Sequence, residues 1–244
     1  MTGGDAWIIV PAKSFVLAKR RLSSLLCDSE RATLARAMLT DVLGAAAGTS
    51  GLRNIAVVTS SDDVAQDAMR LGALVINDGG ASGTNDAIKA GLAAISQRGG
   101  QCVVILPSDV PAVLSEDLSG LLAAAKWGCM AIVPATRDGG TNALAIGRPE
   151  QLEPCFGPQS FGHHVNAANQ IGIKPKVVLN ERLGLDIDQP CDLFQFMDRK
   201  TTTATDRYLR SIDVSERRRN PAFTAAVADT SQREQNPKFL RLAI

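Results

Sequence analysis

The sequence predicts an α/β fold: a single Rossmann-like domain with a mostly parallel sheet, helices on both faces and added antiparallel strands. Two observations carry this reading. Short β-branched runs alternate with longer stretches whose apolar residues recur at helical spacing, the rhythm of successive βαβ units. One run, Val103-Val104-Ile105-Leu106, is apolar without alternation, as expected of a strand buried on both faces.

The elements follow in order. Trp7-Ile8-Ile9-Val10 ends at Pro11 and reads as a first buried strand. From Ser29 to about Leu43, the residues Leu34, Ala37, Met38, Val42 and Leu43 form one helical stripe. Asn54 to Thr59 is the second strand, and Ser60-Ser61-Asp62-Asp63 supplies caps for a helix running through Met69. Ala73 to Ile76 is the third, followed by a glycine-rich connection and a helix from about Thr84 to Ile95. Gln101 to Leu106 is the fourth, with a helix after Ser115. The strands at Met130–Val133, Asn142–Ile146 and Lys176–Leu179 are more closely spaced, which predicts added antiparallel strands beside the first unit. The domain is placed at residues 1–199. From Thr201 the chain turns polar, and 200–244 reads as a C-terminal tail, partly disordered or helical, with Arg217-Arg218-Arg219 as a solvated charge run.

Composition excludes several classes of function. Lys and Arg number 26 against 25 Asp and Glu, so no global field favours nucleic acid or a membrane surface. Aromatics are 4% of the chain, too few for base-stacking platforms. The five cysteines are scattered without a C-x-x-C pair and read as reduced thiols. No apolar run approaches membrane-spanning length and no signal peptide is evident, so the expected location is the cytoplasm.

Ligands of open parallel sheets bind beyond the carboxyl ends of the strands, and four stretches fall there. After the first strand, Lys13, Lys19, Arg20 and Arg21 make a local positive patch suited to a triphosphate, without the G-x-x-x-x-G-K-S/T of a Walker loop. After the third, Gly83-Thr84-Asn85 lets backbone amides approach a ligand, and Asn85 offers its amide to a purine and Lys89 its ammonium to a phosphate. After the fourth, Asp109 stands between Pro107 and Pro111, placed to hold Mg²⁺. Asp186 and Asp188 alternate along an extended segment and so point the same way, an arrangement that is costly without a nearby cation. Asp192, after Pro190, reads as a helix N-terminal residue. Thr141, Gly157 and Ser160 offer hydroxyl and backbone donors to a small anion. The adjacent His163 and His164 lack the spacing of a zinc pair, and at least one reads as an ordinary surface or core-edge residue.

Taken together these stretches resemble the 2-phospho-L-lactate guanylyltransferase family, whose members include phosphoenolpyruvate and 3-phospho-D-glycerate guanylyltransferases of early coenzyme F-420 biosynthesis. The resemblance runs from Trp7 to Met197. Its pieces are Val10 to Lys13, Ala18 to Leu22, Glu30-Arg31 with Ala37 to Leu43, Gly83 to Asn85, Pro107 to Pro111, Gly140 to Leu144, Phe156 to Phe161, and Leu185 to Leu193. It implies attack of a three-carbon phosphorylated acid on the α-phosphorus of GTP, with release of diphosphate. It places Lys13 and Lys19 on the triphosphate and the 83–85 loop near the guanine. Asp109 with Asp186 or Asp188 would hold Mg²⁺, and Thr141, Gly157 and Ser160 the acceptor. The implied partners are GTP, the acid and a downstream transferase taking the product, with a homodimer left open and neither nucleic acid nor membrane involved.

Gln189-Pro190 and Ala12-Lys13 stand where the family has Thr-Pro and Val-Lys, and the tail has no counterpart. A molybdenum-cofactor-type nucleotidyltransferase is the nearest alternative, but its glycine-rich first loop is absent after Val10. A non-catalytic nucleotide-binding module would have no need of clustered carboxylates.

Overall fold

The computed structural model describes residues 6–49, 54–125, 128–149 and 153–218. One sheet organises them. Its strands are β1 (Ala6–Pro11), β2 (Asn54–Val58), β3 (Leu74–Ile76), β4 (Cys102–Ile105), β5 (Met130–Pro134), β6 (Thr141–Gly147) and β7 (Lys176–Val177), in the order β3-β2-β1-β4-β6-β5-β7. The first four are mutually parallel. Of the three later strands only β6 is reversed, pairing antiparallel with β4 and β5, while β7 runs parallel to β5. The expectation of added antiparallel strands therefore holds for one strand of three. Spacing alone cannot tell a hairpin partner such as β6 from β7, which is reached through a helix.

Side chains alternate across the sheet, so each strand feeds two cores. Ile8, Val10, Val57, Val104, Ala131, Val133, Ala143 and Ala145 face one side; Trp7, Ile9, Ala56, Val58, Val103, Ile105, Ile132, Leu144 and Ile146 face the other. The first side is covered by α1 (Asp28–Ala47), α2 (Asp62–Arg70), α4 (Ser115–Ala124) and α7 (Pro190–Asp198); the second by α3 (Thr84–Ser96) and α5 (Ser160–Gln170). Gly91 lets α3 lie close on the sheet: a Cβ there would stand 2.8 Å from Val58 Cγ2 and 3.2 Å from Ile9 Cγ2. Helix α5 lies in a sequence poor in strong helix formers, and its Val165 and Ala168 pack on the second core. There, packing overrides a weak local propensity. All five cysteines are free thiols.

The body does not end at residue 199. Helices α8 (Ala204–Ser211) and α9 (Val214–Arg218) dock against it, and Leu209 and Val214 have no exposed surface within the first core. Helix α1 anchors them with three contacts. Asp41 accepts the Ala204 and Thr205 amides at 2.7 and 2.8 Å, Tyr208 donates to the Glu30 carbonyl at 3.2 Å, and Arg217 grips both Glu30 carboxylate oxygens at 2.6 and 2.8 Å. Arg217 is thus an ion-pair partner rather than part of a solvated run. Its polar sequence hid the segment, because only one face of α8 is apolar. The rest of the expected tail, from residue 219, lies outside the described residues.

Two outcomes follow from this docking. Leu209→Ala should cost about 2–4 kcal/mol in chemical denaturation, as a core truncation does, whereas a tail residue would be neutral. Arg217 holds the Glu30 carboxyl down from 4.5 to about 2. A depressed carboxyl stabilises the fold above its unfolded pKa and loses that contribution as pH falls through the folded value. Arg217→Met should therefore flatten the loss of stability between about pH 5 and pH 2. An acid limb that keeps the wild-type slope would contradict the pairing.

Candidate active site

The chain leaves β1 in one direction across the sheet and β4 in the other, so a crevice opens between their carboxyl ends. A cavity of about 430 Å³ lies there, lined on the β1 side by Lys13, Lys19, Arg20 and Arg21, on the β4 side by Pro107, Ser108 and Asp109, and by Thr84, Phe156 and Asp188. That volume suits a nucleotide-sized ligand. Phe15 and Leu22, both buried, anchor the loop after β1 at its two short 3-10 turns. Between them Lys19 adopts the left-handed backbone conformation, φ 53°, uncommon for a residue with a Cβ. Its ammonium is held by two carboxylates, 2.7 Å from Asp109 Oδ2 and 2.7 Å from Asp188 Oδ1.

Asp186 joins the cluster. Carboxylate oxygens of Asp109, Asp186 and Asp188 all lie within 4.8 Å of one another. The extended segment 185–188 does what its alternation predicts: buried Ile187 turns into the core, while the part-buried Asp186 and Asp188 both turn toward Asp109. A backbone bond from Ile187 N–H to the Asp109 carbonyl, 3.0 Å, stitches that segment to the loop after β4. Asp192 accepts the Asp188 and Gln189 amides at 3.0 and 2.7 Å, capping α7 while fixing the turn that carries Asp188. Upstream, Asp117 on α4 takes two guanidinium nitrogens of Arg182 at 2.7 and 2.5 Å and the Asn180 amide at 2.6 Å, bracing the helical turn α6 (Glu181–Gly184) just before the acids.

The electrostatics follow from crowding. Burial acts to lower the Lys19 pKa, but Asp109 and Asp188 outweigh it and hold the ammonium above its ordinary range. Burial, with Asp109 beside it, pushes Asp186 up to about 6, against the opposing hydrogen bond from Asn142. Burial also acts to raise Asp188, yet Lys19 prevails and holds it below the usual carboxylate range. Three carboxylates against one ammonium leave up to two negative charges among hard oxygen donors. This donor set fits a small divalent cation, and Lys19 already sits where positive charge is wanted.

Because β6 is reversed, its first residues reach the edge where the other strands end. Asn142, a buried amide in an otherwise apolar run, donates to Asp186 Oδ1 at 3.0 Å. Sequence reasoning gave Asn142 no role, although a polar residue in a wholly buried strand beside the site is a usable signal. Next to it, the Thr141 hydroxyl accepts from Ser160 at 3.2 Å and meets His164 Nδ1 at 3.0 Å.

Other expected site residues are placed differently. Ser160 has no exposed surface and spends its hydroxyl on Thr141. Asn85 does not face the cavity with its amide: it donates to the Phe156 carbonyl at 3.0 Å and accepts from the Phe156 amide at 2.7 Å. Thr84 lines the cavity instead. Gly83 is the N-cap of α3, and Gly157, at φ 136°, forms the exposed turn before α5. Lys89 pairs with Glu153 on the surface at 2.5 Å rather than facing the cavity.

Comparison with known proteins gives this geometry a setting. The profile of a family described as guanylyl transferase CofC-like matches residues 6–228. The chain is 36% identical to a phosphoenolpyruvate guanylyltransferase of Rubrobacter xylanophilus, over 78% of this chain and 92% of that protein. It is 35% identical to a 3-phospho-D-glycerate guanylyltransferase of Phenylobacterium zucineum, over 72% and 82%. With a 2-phospho-L-lactate guanylyltransferase of Methanothermobacter thermautotrophicus it shares 33%, over 84% and 89%. Among solved structures, a nucleotidyl transferase from the same archaeon superposes with a TM-score of 0.60 at 18% identity, covering 85% of this chain and 99% of that one. At that identity the likeness concerns the fold.

The brace beneath the acids can be tested. Asp117→Ala should cost about 1–3 kcal/mol by unpairing Arg182 and Asn180, and amide exchange across residues 183–188 should quicken. Unchanged exchange in that segment would show that the acids are positioned without the brace.

Proposed function

The chain belongs to the guanylyl transferase CofC-like family and is a nucleotidyltransferase, and on that premise we propose that it moves GMP from GTP to a three-carbon phosphorylated acid with release of diphosphate. Phosphoenolpyruvate is our first choice of acceptor, with 3-phospho-D-glycerate or 2-phospho-L-lactate next; relatives bearing the three names lie at similar identity, 31–36%, 35% and 30–33%. The product would be an early intermediate of coenzyme F-420 biosynthesis. One observation carries the reading: three carboxylates converge, two of them paired with Lys19, beside a cavity that Lys13 and Arg20 also line.

In this reading a phosphate oxygen of the acceptor forms a bond to the α-phosphorus of GTP as the bond to the bridging oxygen breaks, and diphosphate leaves with the electron pair. The attacking oxygen is already anionic, so no general base is required. Asp109, with Asp186 or Asp188 or both, would hold Mg²⁺, which when bound supplies charge neutralisation to the phosphate oxygens. Lys13 and Arg20 line the rim and would draw in the triphosphate; no described partner engages the Lys13 ammonium. Lys19 would hand its two carboxylates to the cation and turn its charge toward the phosphates. The cavity surface beside Thr84 would take the guanosine. Catalysis is then positioning and electrostatic stabilisation.

The test is diphosphate release from GTP, Mg²⁺ and each of the three acids, with product mass read in a competition among them. We expect turnover with at least one acid, and Asp109→Asn should lower it by about a hundred-fold or more while leaving the thermal midpoint near wild type. No turnover with any of the acids, even with the next enzyme present to trap product, overturns the proposal. Full activity in the variant would remove Asp109 from the metal site.

A further inference from the structure

His164 is one of two histidines in the chain and has no exposed surface. Its ring is gripped at both nitrogens. The Cys155 amide donates to Nε2 at 3.1 Å, so Nε2 is an unprotonated acceptor. The ring proton of the neutral imidazole must then sit on Nδ1, 3.0 Å from Thr141 Oγ1, making His164 the donor of that bond. Phe156 packs edge-on against the ring, with centroids 4.9 Å apart, and fixes its plane. Burial, aided by neighbouring His163 and opposed by a hydrogen bond to the Ser160 backbone, lowers the His164 pKa to about 4 and so favours the neutral form.

This tautomer has a consequence for Thr141. A hydroxyl has two acceptor positions and one proton. His164 Nδ1–H fills one position and the Ser160 hydroxyl the other. The Thr141 proton is what remains, and Thr141 donates to no described residue.

We propose that His164 is a positioning residue which, through its fixed Nδ1–H tautomer, makes the Thr141 hydroxyl an obligate hydrogen-bond donor to the anionic acceptor. With Ser160, it turns an ambivalent hydroxyl into a group that favours a carboxylate or phosphate oxygen and has no free acceptor position for a ligand donor. The inference rests on the function proposed above and adds to it that the acceptor binds beside Thr141, the residue before Asn142, which holds Asp186.

Two kinds of measurement test it. In His163→Gln protein only His164 remains, and ¹⁵N-imidazole NMR should show a neutral ring protonated at Nδ1; protonation at Nε2 overturns the inference whatever the activity. In steady-state assays with the acid the wild type uses, His164→Gln can keep the Cys155 bond but loses the Nδ1 donor. It should raise the acceptor KM about ten-fold and leave the GTP KM within about two-fold. His164→Asn, which can keep a donor near Nδ1, should restore most of the acceptor affinity. Thr141→Val should raise the acceptor KM, and combining it with His164→Gln should add nothing further. Additive effects, an unchanged acceptor KM in His164→Gln, or equal losses for both substrates with a lowered thermal midpoint overturn the role. Absence of turnover in wild-type protein would instead fail the proposed function, and the NMR result would still decide the tautomer.

Discussion

The crowding of three carboxylates around one ammonium is the constraint on which the rest of the site depends. Like charges at such distances repel, so each must be held in place against the others. The fold supplies a restraint for each: Ile187 N–H locks the Asp109 loop to the segment carrying the other two acids, Asn142 holds Asp186, and Asp192 fixes the turn of Asp188. Lys19 completes the set from the loop after the neighbouring strand β1, in a backbone conformation that its two ion pairs help to hold. These restraints come from β4, β6 and α7, so the site is a joint product of the parallel unit and the later strands.

The side where the acceptor is expected is organised by a different kind of bond. The loop over residues 153–159 is strapped at Phe156 by Asn85 of α3 and at Cys155 by His164 of α5. The wall expected near the guanine and the residues expected around the acceptor are thus joined through one backbone segment. A shift in one would be felt by the other without either ligand touching its neighbour.

Much of the frame was legible in the sequence because its signals are local. A buried strand ending in Pro107-Ser108-Asp109 and two acids at alternate positions of an extended run are readable without coordinates. What was not legible depends on direction and distance. Close spacing predicted reversed strands but not which of the three is reversed; that it is β6 decides that Thr141 and Asn142 lie at the working edge. Asn85 read as a base-contacting amide from its place in a glycine-rich loop, but its partner lies 71 residues away. Of the adjacent histidines at least one was expected to be an ordinary surface or core-edge residue, as exposed His163 is, but which one the fold would bury was not readable. Asp41 and Glu30 belong to stretches that carried the resemblance, yet their partners fall in a segment whose polar sequence concealed its packing.

The docking of α8 and α9 on α1 also bears on how the chain is made. Glu30 meets Tyr208 across 178 residues of sequence and Arg217 across 187. During synthesis, the apolar surface of α1 that receives α8 emerges early and waits for almost the whole domain before it is covered. Contacts so distant close late, and exposed apolar surface on an incomplete chain invites association with other chains. A nascent chain that stalls after α7 would carry every carboxylate of the site and still present an open core, a species for chaperones to shelter rather than a shortened enzyme.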